Sequence, residues 1–263
     1  MPPETTPRRI QSVDRAFQIL HEIGTRGRCS VSALADAIGL SPGTVHTHLT
    51  TLKLNGFVQQ EGGDYKLGME FIPFSERVRN QSPLYRAGRT EVDKLAHAYD
   101  AVAHLVTEYE GKVLILHETF GEDAVGKQVH TRKRNQPQRH IHCTAAGKAI
   151  LAHLPEQRVR EIVDREGLRE YTPNTITDED ELFEELAQIR DQRYAVNNEE
   201  TIPGNRGIGA PVLSEDGGVH GAISISGPAN SWRSDGFEDE LAQAVIRSAD
   251  NTEITLYTEA QPL

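Results

Sequence analysis

The stretch Ser30-Val-Ser-Ala-Leu-Ala-Asp-Ala-Ile-Gly-Leu-Ser-Pro-Gly-Thr-Val-His-Thr-His-Leu-Thr-Thr-Leu-Lys-Leu-Asn55 reads as two short helices joined by a tight corner. Ser32 can cap the first by accepting a backbone N–H bond. Leu34, Ala35 and Ile38 fall on one face at helical spacing. Gly39 suits the left-handed residue that ends a helix. Ser41 caps again, and Pro42 takes the first helical position, where a missing N–H costs nothing. Val45, Leu49 and Leu52 then recur at i, i+4 and i+7, so one face packs inward. The opposite face carries Gly43, His46, Thr47, Thr50 and Thr51, with no carboxylate among them. This is a helix-turn-helix whose second helix is free to enter a DNA major groove.

An αα-corner of any helical domain is the plainer reading. The flanking residues argue for DNA. Gly56 to Leu67 holds two short apolar strands around Gly62-Gly63, a hairpin signal that makes the unit a winged helix. On the other side, Ser12 to Ile23 is a capped amphipathic helix with Val13, Ala16, Phe17, Leu20 and Ile23 inward, ended by Gly24. Residues 1 to 9 read as disordered, with an Arg8-Arg9 pair within reach of a DNA backbone.

The net charge of −11 is odd for a DNA binder until it is split. Residues 8 to 67 hold Arg8, Arg9, Arg15, Arg26, Arg28, Lys53 and Lys66 against Asp14, Glu22, Asp36, Glu61 and Asp64, a net of +2. The rest of the chain carries the acid excess. That asymmetry makes the N-terminal part the electrostatic face for nucleic acid. Only 7 of the 28 basic residues are lysines. A strongly charged, lysine-poor surface suits a salt-rich cytoplasm and a halophilic source. The alternative is an ordinary acidic protein.

The 263 residues suggest two domains. No apolar run approaches the roughly 20 residues of a membrane span. The first residues lack an apolar signal core, so a cytoplasmic location is expected. Cys29 and Cys143 read as free thiols there.

Gly68 to Asn80 carries Met69, Phe71, Ile72 and Phe74, interrupted by Pro73. It reads as the start of a connection, with apolar residues for a second subunit or for the chain's own core. Leu84 to Tyr99 is helical. Ala103–Tyr109 and Lys112–His117 form a hairpin around Glu110-Gly111. A third strand is expected over Ala124–His130, then a basic loop from Arg132 to His140. Thr144 caps a small-residue helix to His153. Helices follow over 155–165 and 177–193. Tyr194–Asn197, Ile208–Leu213 and Gly218–Ser226 are strands, with Asp216-Gly217-Gly218 as a turn, and 235–257 closes the chain as a helix. Helices flanking an antiparallel sheet make an α+β domain.

Three blocks in this chain resemble one family. Tyr194-Ala-Val-Asn-Asn-Glu-Glu-Thr-Ile-Pro-Gly-Asn-Arg-Gly-Ile-Gly-Ala-Pro-Val212, with Gly221-Ala-Ile-Ser-Ile-Ser-Gly-Pro228, resembles the signature of the IclR family of transcriptional regulators. His142-Cys-Thr-Ala-Ala-Gly-Lys-Ala-Ile-Leu-Ala152 resembles its second block, and Ser41 to Leu52 its recognition helix. The resemblance runs from about Ile10 to Tyr257. It implies a winged helix-turn-helix domain over 1–68, a linker helix within 69–83, and a GAF-like effector-binding and oligomerisation domain over 84–263. It also implies homodimers or homotetramers on palindromic double-stranded operators. The family often has a basic residue where Gly43 sits and an arginine where Thr47 sits. Their absence removes the obvious guanine-reading side chain.

Candidate DNA contacts are therefore Arg8, Arg9, Ser41, Gly43, Thr44, His46, Thr47, Thr50, Thr51 and Lys66. Ser41 and Thr44 are set for phosphates at a helix start. Lys66 is set for a phosphate from the wing, and His48 is structural. In the larger domain, small polar strand residues facing a small-residue helix suit a metabolite pocket. By the resemblance, Asn197, Gly207, Ser224 and Ser226 match its floor and Thr144, Ala145 and Ala146 its lid. The lid's helix start favours an anion. Metal and enzyme readings are weak. His140, His142 and Cys143 fit no zinc spacing. Ser224 and Ser226 lie on no nucleophile elbow. Gly204–Gly209 lacks the phosphate-loop ending. The Glu199-Glu200 pair reads more simply as solvated or capping than as catalytic. No cofactor is expected. The reading is a regulator controlled by a small polar metabolite, against a ligand-independent architectural protein or an enzyme fused to a DNA-binding domain.

Overall fold

The computed structural model describes residues 8–124, 139–230, 232 and 237–260. By internal contacts the chain divides into two compact units, Met1–Val78 and Arg79–Leu263.

The first unit opens with α1 (Gln11–Arg26). Its phase meets the sequence expectation in part: Ile23 is buried and Leu20 packs on the core, but Ile19 takes the place expected of Val13 and Phe17. Ile19 and Ile23 are buried, while Val13 and Phe17 are 46% and 65% exposed. Apolar residues line more than one face of this helix, and packing selects the face of Ile19, Leu20 and Ile23. Gly24 does not end it. Gly27 does, at φ 81, with its N–H on the Ile23 carbonyl, and no side chain caps the start.

A two-residue strand β1 (Cys29–Ser30) leads into α2 (Val31–Ile38). Ser30, rather than Ser32, caps α2 by accepting from the Ala33 N–H. Gly39 is left-handed at φ 66. The helix α3 (Pro42–Leu54) is capped by Ser41. The strands β2 (Val58–Glu61) and β3 (Asp64–Leu67) form the wing, and β1 adds to β3 as the third strand. Ile19, Ile23, Leu34, Val45, Leu49, Val58 and Tyr65 fill the core. Each such side chain contributes roughly 1.5–3 kcal/mol by leaving water.

The helix α4 (Phe71–Gln81) buries none of its residues. Pro73 does not interrupt it. It lies in the first turn, whose N–H groups have no intrahelical partner. Phe57 meets Phe71 and Phe74 with ring centroids 5.1 and 5.5 Å apart.

In the second unit, α5 (Pro83–Tyr99) precedes the hairpin β4 (Val102–Tyr109) and β5 (Lys112–Phe120). Glu110 and Gly111 both take positive φ, as a tight two-residue turn requires. Ala124 lies in no strand, and the rest of the strand expected to His130 falls outside the described residues, as does the basic stretch Arg132–Arg134. Arg139–His140 form a short strand β6 instead of continuing a loop. A 3₁₀ turn (Ile141–Cys143) leads to α6 (Ala145–Leu151), then α7 (Glu156–Glu166) and α8 (Glu179–Gln192). The strands β7 (Ala195–Asn198), β8 (Asn205–Leu213) and β9 (Val219–Pro228) precede α9 (Phe237–Ala260).

The six strands make one antiparallel sheet ordered β6-β5-β4-β9-β8-β7. One face packs Leu105, Ile223 and Ile225 against Val92 and Leu95 of α5 and Val245 of α9. The other packs Val106 and Ala222 against Ile150, Ile162 and Leu186 of α6, α7 and α8. The architecture is α+β, with helices on both faces.

Candidate functional site

In the first unit, Ser41, Gly43, His46, Thr47, Thr50 and Thr51 are exposed and Thr44 is half-buried, while Val45 and Leu49 face the core. The phase read from the sequence therefore holds for α3. The three threonines all turn their hydroxyls back on the helix. Thr47 donates to the Gly43 carbonyl at 3.0 Å, Thr50 to His46 at 2.9 Å and Thr51 to Thr47 at 3.2 Å. Ser41 Oγ accepts from the Thr44 N–H at 3.2 Å and shares a 2.8 Å hydroxyl contact with Thr44. His48 Nδ1 lies 2.9 Å from the Thr44 carbonyl, a local structural bond.

The basic residues are less free than the sequence suggests. Lys66 pairs with Glu61 at 2.9 Å, and Arg28 bonds the same carboxylate, which holds Glu61 below the usual range. Arg9 pairs with Asp14 at 3.0 Å, and Lys53 donates to Gln60. Such exposed pairs are worth little, so phosphates can displace them. Arg8 is exposed.

In the second unit, register brings the named strand residues together. Asn197, Gly207 and Ser226 stand side by side on β7, β8 and β9, and Ala195, Gly209 and Ser224 form the next row. Directly paired residues share a sheet face. Gly209 marks that face as the one under α6: a Cβ there would sit 2.7 Å from the Ala146 nitrogen. Only glycine lets the helix start so close to β8. Thr144 caps α6 by accepting from the Gly147 N–H at 3.0 Å. Ser226 Oγ is buried and makes no hydrogen bond among the described residues.

Asn197 is not a free binding group. Its Oδ1 accepts from the Glu200 N–H at 2.8 Å and its Nδ2 donates to Thr201 at 3.0 Å. It shapes the turn that presents Glu200. Glu200 corrects the sequence reading, because it is neither solvated nor capping. It is 3% exposed and bonds Lys148, itself 1% exposed, at 2.8 Å; Lys148 also reaches Glu185 at 2.8 Å. Burial pushes the Glu200 carboxyl up, opposed by Lys148. The signal was present: a lysine inside Ala145–Leu151, whose other residues are all small or apolar, requires a buried carboxylate.

A second buried pair escaped the sequence reading. His104 Nε2 lies 3.1 Å from Glu118, in the row of Ser224. The turn at Glu110-Gly111 alone would set His104 opposite His117. A bulge between Leu105 and Val106 moves its partner to Glu118.

Among the described residues, no group of three His, Cys, Asp or Glu side chains is placed to hold a metal. His140 and His142 meet edge to face at 5.9 Å. His142 Nε2 donates to the Arg169 carbonyl at 3.2 Å, and burial lowers its pKa to about 4. The thiol of Cys143 donates to the His140 carbonyl. Two clefts in this unit lie elsewhere. One, about 620 Å³, is walled by His153, Phe183 and Arg190; the other, about 720 Å³, by Leu213, Glu253 and Tyr257. No described helix is long and apolar enough to cross a membrane.

A winged helix-turn-helix with an exposed, acid-free second helix, followed by a larger α+β unit, defines the class of two-part DNA-binding regulators. Residues 12–62 match the IclR helix-turn-helix domain and residues 77–253 the bacterial transcriptional regulator IclR C-terminal family. The chain is 40% identical over 253 residues to the probable HTH-type transcriptional regulator ArcR of Halobacterium salinarum, covering 96% of each. It is 30% identical to the transcriptional repressor IclR of Escherichia coli, covering 94% of this chain and 89% of that one. The crystal structure of an IclR homologue from Microbacterium hydrocarbonoxydans, complexed with 4-hydroxybenzoate, aligns with a TM-score of 0.78 at 21% identity, covering 94% of this chain and 99% of that one. This protein belongs to the IclR family of transcriptional regulators.

Proposed function

We propose that the protein regulates transcription by binding a palindromic double-stranded operator as a homodimer or homotetramer, under control of a small polar metabolite. In this reading residues 8–67 hold the DNA. Ser41, Gly43, Thr44, His46, Thr47, Thr50 and Thr51 face the groove, and Arg8, Arg9 and Lys66 neutralise phosphates. One winged helix offers few base contacts, and two-fold pairing doubles the sequence read. The exposed apolar residues Met69, Ile72, Phe74 and Val78 are suited to part of such an interface. The acid excess of the larger part suits work in a salt-rich cytoplasm.

The observation that carries effector control is Ser226 Oγ, a buried hydroxyl without a partner among the described residues. An unpaired buried hydroxyl costs about 1–3 kcal/mol, and a ligand's polar group would recover it. Ser224, Gly207, Asn197 and the Thr144-Ala145-Ala146 helix start surround that position in the proposed site. The test is a thermal-shift screen with small hydroxy- and aromatic carboxylates, including the 4-hydroxybenzoate held by the homologue. A ligand at a hundred times its Kd adds about 2.7 kcal/mol of stability. Ser226→Leu should abolish that shift and leave operator binding intact. A normal response in Ser226→Leu removes this site, and the clefts at Phe183 and Tyr257 become the places to look.

A further inference from the structure

Resting on the DNA-binding reading, we infer that α3 reads its operator through methyl groups, so that each half-site presents an A·T run to Thr47, Thr50 and Thr51. Three observations lead there. First, all three hydroxyl protons are spent on carbonyls of the preceding turn, at 2.9–3.2 Å. What these exposed side chains offer a partner is a methyl group and spare oxygen lone pairs. Second, donors are scarce on this face. His46 is the side-chain donor among the outward residues of the first three turns; Lys53 follows in the last turn, and the Ser41–Thr44 hydroxyl pair at the helix start keeps one proton. Third, Gly43 adds no side chain, and a Cβ there would meet nothing nearer than Ser41 Oγ at 4.0 Å. The start of α3 is therefore low and can sit deep in a groove.

The major-groove edge of an A·T pair complements this surface. Thymine supplies a 5-methyl for apolar contact, and adenine N6 supplies a donor for the threonine lone pairs. Guanine offers acceptors at N7 and O6. Facing donor-poor threonines, those acceptors would be desolvated without partners, which is costly. Thr47 with Thr50, and Thr47 with Thr51, are neighbours on the helix surface, about 5–6 Å apart at Cβ. That spacing lets them cover adjoining base pairs.

The test separates methyl from hydroxyl on both partners. Full-length protein is used to select duplexes from a random-sequence pool. The winning duplex is then remade with deoxyuridine in place of thymidine inside the motif only. The inference expects an A·T run in each half-site and at least about fivefold weaker binding to the deoxyuridine duplex, within the usual effect of one altered base pair. The triple variant Thr47→Val, Thr50→Val, Thr51→Val keeps the methyls and loses the lone pairs, so it should lose less affinity for the thymidine duplex than the serine variant does and should still bind the deoxyuridine duplex at least about fivefold more weakly. The triple serine variant keeps the hydroxyls and should bind it weakly, with no further loss on deoxyuridine. Matched thermal melts confirm that both variants fold. A G·C core, equal affinity for thymidine and deoxyuridine, or strong serine and weak valine variants overturns the inference while leaving DNA binding in place. Failure to select any motif overturns the DNA-binding reading, and this inference with it.

Discussion

Two helices in this protein start alike and end up in opposite surroundings. Ser41-Pro-Gly-Thr opens α3 and Thr144-Ala-Ala-Gly opens α6, each capped by its own hydroxyl residue. Around α3 the polar side chains other than the half-buried Thr44 and His48 stand in solvent, and the helix buries only Val45 and Leu49. Every residue of α6 is buried, including its lysine. The same start signal therefore serves a surface that must meet a partner and a wedge that must not move. The difference lies beyond the helices, in what packs on them. A glycine at 209 brings β8 onto α6, whereas nothing described packs on the outer face of α3.

The contrast predicts different costs for similar substitutions. The largest effect is expected at α6. Lys148→Ala leaves two carboxylates facing a site without their cation, and one of them, Glu200, is almost fully buried. Breaking a buried pair in this way costs about 3–5 kcal/mol. Calorimetry should show a large drop in melting temperature for the transition of the larger unit. A drop under about 2 °C would mean that α6 is far less committed than its burial implies.

On α3 the matching change acts on binding alone. Thr47→Glu puts a carboxylate against phosphates and base acceptors. Operator affinity should fall by roughly a hundredfold or more, about 2.7 kcal/mol, with the melting temperature unchanged. Normal binding by Thr47→Glu would show that this face does not meet DNA.

The approach to α6 should also give the molecule an acid limb. His142 has its folded pKa lowered from 6.5 to about 4. Its contribution is fully present above pH 6.5, where both states are neutral. It is lost as pH falls from 6.5 towards 4, because the unfolded chain takes up the proton first. The shift corresponds to roughly 3 kcal/mol. His142→Gln, which keeps a neutral donor for Arg169, should flatten denaturant-measured stability over that range. An unchanged slope would assign the acid limb to other groups.

The smallest expected difference is between the two caps. Ser41→Ala should cost about 0.5–1 kcal/mol, because water can replace an exposed cap. Thr144→Ala should cost nearer 2 kcal/mol, because the Gly147 N–H is buried when orphaned. Equal costs in urea melts would make the burial of α6 irrelevant to its capping.

These contrasts also explain which features were legible in the sequence. The face of α3, the left-handed Gly39, the wing and most sheet strands follow from local signals: capping, a period of 3.6 or 2, and glycine turns. The family's blocks added the order of the two units. Misreadings fall where local signals compete or run out. On α1 more than one apolar face was available, and only tertiary packing chose Ile19 over Phe17. The strand at Cys29–Ser30 is two residues long and exists because β3 lies beside it. The partner of His104 depends on a single bulge. Glu200 and Lys148 are 52 positions apart, so neither alone announces the other. In the candidate effector site the serines were legible from strand alternation. The internal commitment of Asn197 was not, since it depends on how the chain turns after β7.

The Lys148 triad also bears on how the larger unit assembles. The lysine must be joined by Glu185, 37 positions later, and by Glu200, 52 positions later. Docking α6 against either carboxylate alone would dehydrate an ammonium before its full set of partners had arrived, which low-dielectric surroundings penalise heavily. Partly seated arrangements of α6 are thus poorly populated. Instead α6, α8 and the β7–β8 connection should engage in one cooperative step. In native-state hydrogen exchange the amides of α6 would then open together with those of α8 and β8, and fraying of α6 on its own would be rare.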